Sequence, residues 1–149
     1  MRTNAIIFRK PGDLGVEDTA LTPPGARDTV VDTLWSGISS GTERMLLEGT
    51  MPAFPGMGYP LVPGYEAVGT VRAAGSRCRL RAGERVFVPG SVHWGEELRG
   101  LFGASASVLV ADEARVTPIA SLPAERGVLL ALAATAMHKI GRASCRERV

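Results

Sequence analysis

The sequence predicts a mainly β domain of the α+β kind, an antiparallel barrel or sandwich with short helices. Three observations predict it. Seven short apolar or β-branched runs are separated by turn residues. Glycine and proline are abundant, at 18 and 10 residues, and thirteen glycines fall between Gly37 and Gly103 without a period, so they punctuate turns. Only one long Ala/Leu-rich run is present, and it comes last.

Asn4–Arg9 is the first strand, stopped by the turn Pro11-Gly12-Asp13. Leu14–Asp18 returns as a second. Leu21–Gly25 is a loop, since its two prolines remove donors. Thr29–Trp35 is the clearest strand of this part, rich in β-branched residues. Ser40-Gly41-Thr42-Glu43 fits a capping box, followed by a short helix that Gly49 ends. Pro52–Gly64 holds four prolines and three glycines yet is apolar, which predicts an irregular loop packed against the body. Tyr65–Val71, Arg85–Val88, Ser105–Val110 and Ala114–Pro118 complete the strands. Ala124–His138 reads as a buried helix with Pro123 in its first turn, and Leu129, Leu130, Leu132, Ala133 and Ala136 form its core stripe.

Composition excludes several classes. Apolar residues at 45% argue against disorder. Two cysteines, Cys78 and Cys145, do not make a disulfide scaffold. The longest apolar stretch, Val128–Met137, is too short to span a bilayer, and Met1–Asp13 lacks the apolar core of a signal peptide, so the expected compartment is the cytoplasm. The net charge of +2 leans on the last eleven residues. Residues 1–138 carry 13 basic and 14 acidic side chains, which is no footprint for nucleic acid.

Chemistry is sparse. The histidines are His93 and His138; no Cys-x-x-Cys, His-x-x-x-His, P-loop or Gly-x-Gly-x-x-Gly occurs. Two stretches stand out, Trp35–Glu43 (WSGISSGTE) and Pro60–Val71 (PLVPGYEAVGTV), followed by the turn Ala82-Gly83-Glu84-Arg85-Val86. Together they resemble the GroES-like N-terminal domain of the medium-chain dehydrogenase/reductase superfamily. There the stretches usually read Gly-Ile-Cys-x-Ser/Thr-Asp, Gly-His-Glu-x-x-Gly-x-Val and Gly-Asp-Arg-Val. The resemblance covers almost all of residues 1–138 and implies a partly open β-barrel, with the Rossmann domain absent from this chain.

The departures carry information. The usual zinc-binding Cys corresponds to Ser39, the His to Tyr65, and the third ligand's place falls near Ala131. Hydroxyl and phenol are poor Zn²⁺ donors at neutral pH, and Glu66 alone does not hold the ion. The four-cysteine structural lobe is also missing between Gly90 and Gly103. The resemblance therefore implies a zinc-independent enzyme with no metal site.

Longer strings narrow it, among them MPAFPGMGYPLVPGYE (Met51–Glu66), RGLFG (Arg99–Gly103) and ERGVLLALAATA (Glu125–Ala136). They are similar to the branch of the superfamily that acts in bacteriochlorophyll biosynthesis. That implies oxidation of a tetrapyrrole's 3-hydroxyethyl group to 3-acetyl, with hydride passing to NAD or NADP. A flat apolar substrate suits Phe54, Met57 and Tyr59 on the stiff loop, with His93 nearby. Without zinc, the proton-relay candidates are Ser39, Thr42 and Tyr65, with Glu66 as orienter.

Each has a plainer alternative. Ser39 and Ser40 can cap the helix, Tyr65 can pack in the barrel, and Glu66 can pair with an arginine. His93 is either a loop residue or a base, and His138, near the helix end, is the other candidate base. Cys78, between Arg77 and Arg79, is either activated or inert. At the level of function, the alternatives are another zinc-independent alcohol, quinone or enone oxidoreductase, or a non-catalytic GroES-like binding module.

The expected organisation is a catalytic domain over 1–122, the start of a helix leading to a missing Rossmann domain over 123–138, and a non-native tail over 139–149. Ile140–Val149 back-translates to ATC GGA AGA GCG TCG TGT AGG GAA AGA GTG, which resembles a common sequencing adapter. The full-length protein is expected to be a homodimer that binds its cofactor through the missing domain, and the 149 residues alone are expected to be inactive.

Overall fold

The computed structural model describes the backbone of residues 1–146 and the side chains of residues 1–140. Of the tail read as adapter-like, residues 147–149 and the side chains of residues 141–146 lie outside the described residues.

Seven strands form two sheets among the described residues. β1 (Arg2–Lys10) and β2 (Asp13–Ala20) make an antiparallel hairpin. Its turn needs Gly12, whose φ of 77° suits a residue without a Cβ. The second sheet has five antiparallel strands in the order β6-β3-β4-β5-β7. They are β3 (Asp28–Ser36), β4 (Ala67–Ala74), β5 (Arg85–Val88), β6 (Val108–Asp112) and β7 (Thr117–Pro118). The two sheets do not merge, so the barrel is partly open as expected.

Irregular chain stitches the hairpin to the sheet. Ile6 donates its amide to the Ser105 carbonyl at 2.9 Å, and Phe8 and Leu61 exchange amide bonds at 2.9 and 3.0 Å. The main core gathers Ile7, Val31, Val62, Val71, Val86, Val88, Leu109 and Val110. A second cluster joins Phe8, Leu46 and Leu61 to Met51, Met57, Tyr59 and Leu101. The proline-rich loop is thus packed, and Leu61 and Val62 within it are fully buried.

Several expectations need correction. The capping box does not form. α1 (Thr42–Glu48) starts after Gly41, and no side chain caps it. Its end is as expected, with Gly49 left-handed at φ 71° and the Thr50 amide bonded to the Met45 carbonyl at 2.9 Å. Tyr65 and Glu66 precede β4 and do not belong to it. Ser105–Ser107 is irregular chain leading into β6, joined to the hairpin by an isolated bridge between Ala5 and Ala106 and by the Ser107 hydroxyl, which accepts the Asn4 amide at 3.1 Å. Ala114 lies in a 3-10 turn over Glu113–Arg115, capped by the Asp112 carboxylate.

The final helix is broken in two and is not buried. α2 (Ala124–Gly127) packs Ala124 and Gly127 on Val68, Phe87 and Ile119. A turn at Val128–Leu129 separates it from α3 (Leu130–Arg146). Gly127 fits the close approach to Val68 but is a weak helix former. Leu130 packs on Val68 and Phe87, but α3 then leaves the body: Leu129 before it is 53% and Met137 on it 70% exposed, so most of the stripe read as core faces outward. Among the described residues no helix is long and apolar enough to cross a membrane.

Candidate active site

The segment between β3 and α1 meets the segment entering β4. The Gly37 amide donates to the Glu66 carbonyl at 2.7 Å. The Glu66 carboxylate lies over Gly37, and a Cβ there would strike it, so Glu66 depends on that glycine. Glu66 is only 3% exposed, and its Oε1 has no partner. Among the described residues no arginine pairs with it. Burial pushes its carboxyl above the usual range.

Ser39 and Thr42 are brought together at the start of α1. The Ser39 hydroxyl donates to Thr42 Oγ1 at 3.3 Å, and the Glu43 amide donates to the Ser39 carbonyl at 3.0 Å. Glu43 was read only as a capping residue. The structure gives it a half-buried carboxyl whose Oε2 has no partner. Burial raises its pKa most, the amides of Glu43 and Ser39 lower it, and the charge of Glu66 raises it. No spacing in the sequence distinguishes this from an ordinary first-turn glutamate.

Tyr65 is half-buried and meets Phe102 edge-to-face, with ring centroids 5.2 Å apart. Phe102 was not among the expected residues. On the proline-rich loop, Phe54 is exposed and Met57 packs in the second cluster. The Tyr59 hydroxyl donates to the Leu46 carbonyl, tying the loop to the end of α1, and burial raises its pKa. His93 stands apart. Its Nδ1 lies 3.0 Å from Thr22 Oγ1 and its Nε2 lies 3.5 Å from Asp28 Oδ2. His138 is exposed on α3. Cys78 is not activated: burial pushes its thiol up, and Sγ points at the Asp28 carbonyl, 3.5 Å away.

The buried carboxyl has a testable sign. Glu66 has a folded pKa above its unfolded value, so its ionisation opposes folding. The penalty is absent below the ordinary glutamate range and grows as pH rises through the interval between the two values. Glu66→Gln is therefore expected to stabilise the chain at pH 7.5 relative to the parent and to lose that advantage near pH 4. Paired urea titrations at the two pH values check it; an equal effect at both refutes the assignment.

The strands, loop and site coincide with a known pattern. Residues 25–121 match the family described as the alcohol dehydrogenase GroES-like domain. The chain belongs to that family. This GroES-like domain is similar to the 2-desacetyl-2-hydroxyethyl bacteriochlorophyllide A dehydrogenase of Cereibacter sphaeroides, at 49% identity over 144 residues. It is 46% identical over 140 residues to the protein of the same name from Rhodobacter capsulatus. Each match covers 94% of this chain and 45% of the relative, so the chain spans about half the length of the curated relatives it matches. Among solved structures, it resembles a short chain alcohol dehydrogenase from Escherichia coli CFT073, complexed with NADH. There the TM-score is 0.68 at 21% identity, covering 86% of this chain and 42% of that one.

Two groups implied by this superfamily can be tested against the residues present. In place of the usual zinc ligands, the GroES-like domain offers the Ser39 hydroxyl, the Tyr65 hydroxyl and the buried Glu66 carboxyl. This set does not suit Zn²⁺. For a dinucleotide, the sequence has no Gly-x-Gly-x-x-Gly and the described sheets are antiparallel, so the described residues form no phosphate cradle of the Rossmann kind. No step is derived through either group.

Proposed function

We propose that this chain is the substrate-side portion of a zinc-independent oxidoreductase that converts the 3-hydroxyethyl group of a bacteriochlorophyllide to 3-acetyl. One observation carries the reading: 49% identity across 94% of the chain to a dehydrogenase named for that substrate. The loop geometry supports it. A stiff apolar loop with Phe54 exposed, beside Tyr65 and Phe102, is a surface that a flat macrocycle can stack on.

The chain's own chemistry concerns the proton. The linked hydroxyls of Ser39 and Thr42 and the phenol of Tyr65 are hydrogen-bond groups for the substrate alcohol, and Glu66 orients the Gly37–Ser39 backbone. Hydride acceptance is what a nicotinamide supplies, NAD or NADP. It would be bound by the part of the relatives that this chain does not span. In this reading the whole protein is a cytoplasmic homodimer, residues 1–122 are its catalytic domain, and residues 139–149 are foreign to it. The apolar side chains exposed on α3, Leu132 and Met137 among them, would then be covered by the following domain.

Purified 149-residue protein should therefore bind 3-hydroxyethyl bacteriochlorophyllide a, shifting its absorbance, without reducing NAD or NADP. Reduction of either cofactor by the fragment, or no binding, overturns the reading.

A further inference from the structure

Arg99 opens a short segment, Arg99–Phe102, that runs along the proline-rich loop. Its amide donates to the Pro60 carbonyl at 3.0 Å, and its carbonyl accepts the Val62 amide at 2.9 Å, so the root of the side chain is fixed. The guanidinium lies on Gly58, where a Cβ would stand 2.9 Å from Nε and 3.3 Å from Cζ. Glycine at this position gives the flat group its seat on the loop. Three residues on, Phe102 meets Tyr65 edge-to-face. Three residues span roughly 10 Å at most. One segment thus sets a cation and an aromatic ring a short way apart, both against segments of the candidate site. The cation is also unspent. Arg2, Arg9, Arg44 and Arg72 each hold a carboxylate. Arg99 is exposed, and among the described residues its guanidinium makes no ion pair, not even with Glu96 or Glu97. A guanidinium with a fixed root and a free fork is a ready bidentate donor to a carboxylate.

We infer that Arg99 binds the free carboxylate of the tetrapyrrole and so selects the acid over its ester. A bacteriochlorophyllide carries a propionate side chain as the free acid, and its two oxygens accept the N–H groups of the fork. Stacking on Phe54 and Phe102 does not distinguish acid from ester, whereas a group placed to hydrogen-bond a carboxylate does. The inference rests on the proposed function, because the carboxylate belongs to that substrate.

Absorbance titrations of the 149-residue chain with 3-hydroxyethyl bacteriochlorophyllide a and with its propionate methyl ester test it. The parent should bind the acid about tenfold more tightly than the ester, the scale of one charge-assisted hydrogen-bonded contact. Arg99→Gln should weaken the acid by about that factor and leave the ester within about twofold, so that the gap closes. Gly58→Ala keeps the charge but fills the seat of the guanidinium, and should narrow the gap as well. Arg115→Gln, at an exposed arginine of the 3-10 turn, should leave the gap unchanged, which separates a local contact from net charge. Equal affinity of the parent for acid and ester overturns the inference. So does an unchanged gap in Arg99→Gln or Gly58→Ala, or a gap that Arg115→Gln closes equally. Each of these leaves the proposed function standing, since the macrocycle is still bound. Binding of neither compound sinks the proposed function and the inference with it.

Discussion

Gly69→Ala is expected to destabilise the chain by about 3 kcal/mol or more. Gly69 sits in β4, opposite Thr33 of β3, in the middle of the five-stranded sheet. A Cβ there would run into the Asp32 carbonyl and the Val31 side chain. The obstacle is backbone held by two ladders, because β3 pairs with both β4 and β6. It cannot swing aside as a surface side chain does. Overpacking a core costs about 1–3 kcal/mol, and occasionally more when backbone must move. A loss of about 3 kcal/mol or more would consume much of the roughly 5–15 kcal/mol that holds a domain together. Urea unfolding at 25 °C measures it; a variant within about 0.5 kcal/mol of the parent refutes the packing described.

Leu46→Ala should rank second, at about 2–5 kcal/mol. Leu46 is the one fully buried side chain of α1 and the centre of the second cluster. A seven-residue helix does not persist without packing. Its loss should reach the site, because Ser39 and Thr42 are held at its start and Tyr59 grips its end through the Leu46 carbonyl. Amide exchange should therefore rise across α1 and residues 57–61 well before it rises in β3 or β4. Uniform exchange throughout the chain, or a loss below about 1 kcal/mol, would count against this cluster as an independent unit.

The strands were legible because β-branched runs and turn residues act locally. Asp28–Ser36 and Arg85–Val88 sit within a residue of their expected ends. The failures share a cause, which is packing at a distance. The capping pattern at Ser40 and Glu43 is real in sequence, but Ser39 bonds Thr42 instead, and the Glu43 carboxyl is drawn inward. The apolar character of α3 was read as burial, because a sequence shows that a side chain is greasy without showing what covers it. For the candidate site, the motif singles out Ser39, Thr42, Tyr65 and Glu66 as expectations. It could not show that Glu66 depends on Gly37, or that Phe102 backs Tyr65, since both are contacts between separate segments.

The proline-rich loop divides into a tip and a root. Residues 52–56 are exposed, whereas residues 60–64 are laddered to Phe8 on one side and to Arg99 and residues 103–105 on the other. Mutations at the tip can alter what a flat ligand touches while the root keeps every hydrogen bond. Selection can therefore act on ligand preference here almost independently of stability, so related proteins can diverge in specificity by changing five residues of one loop.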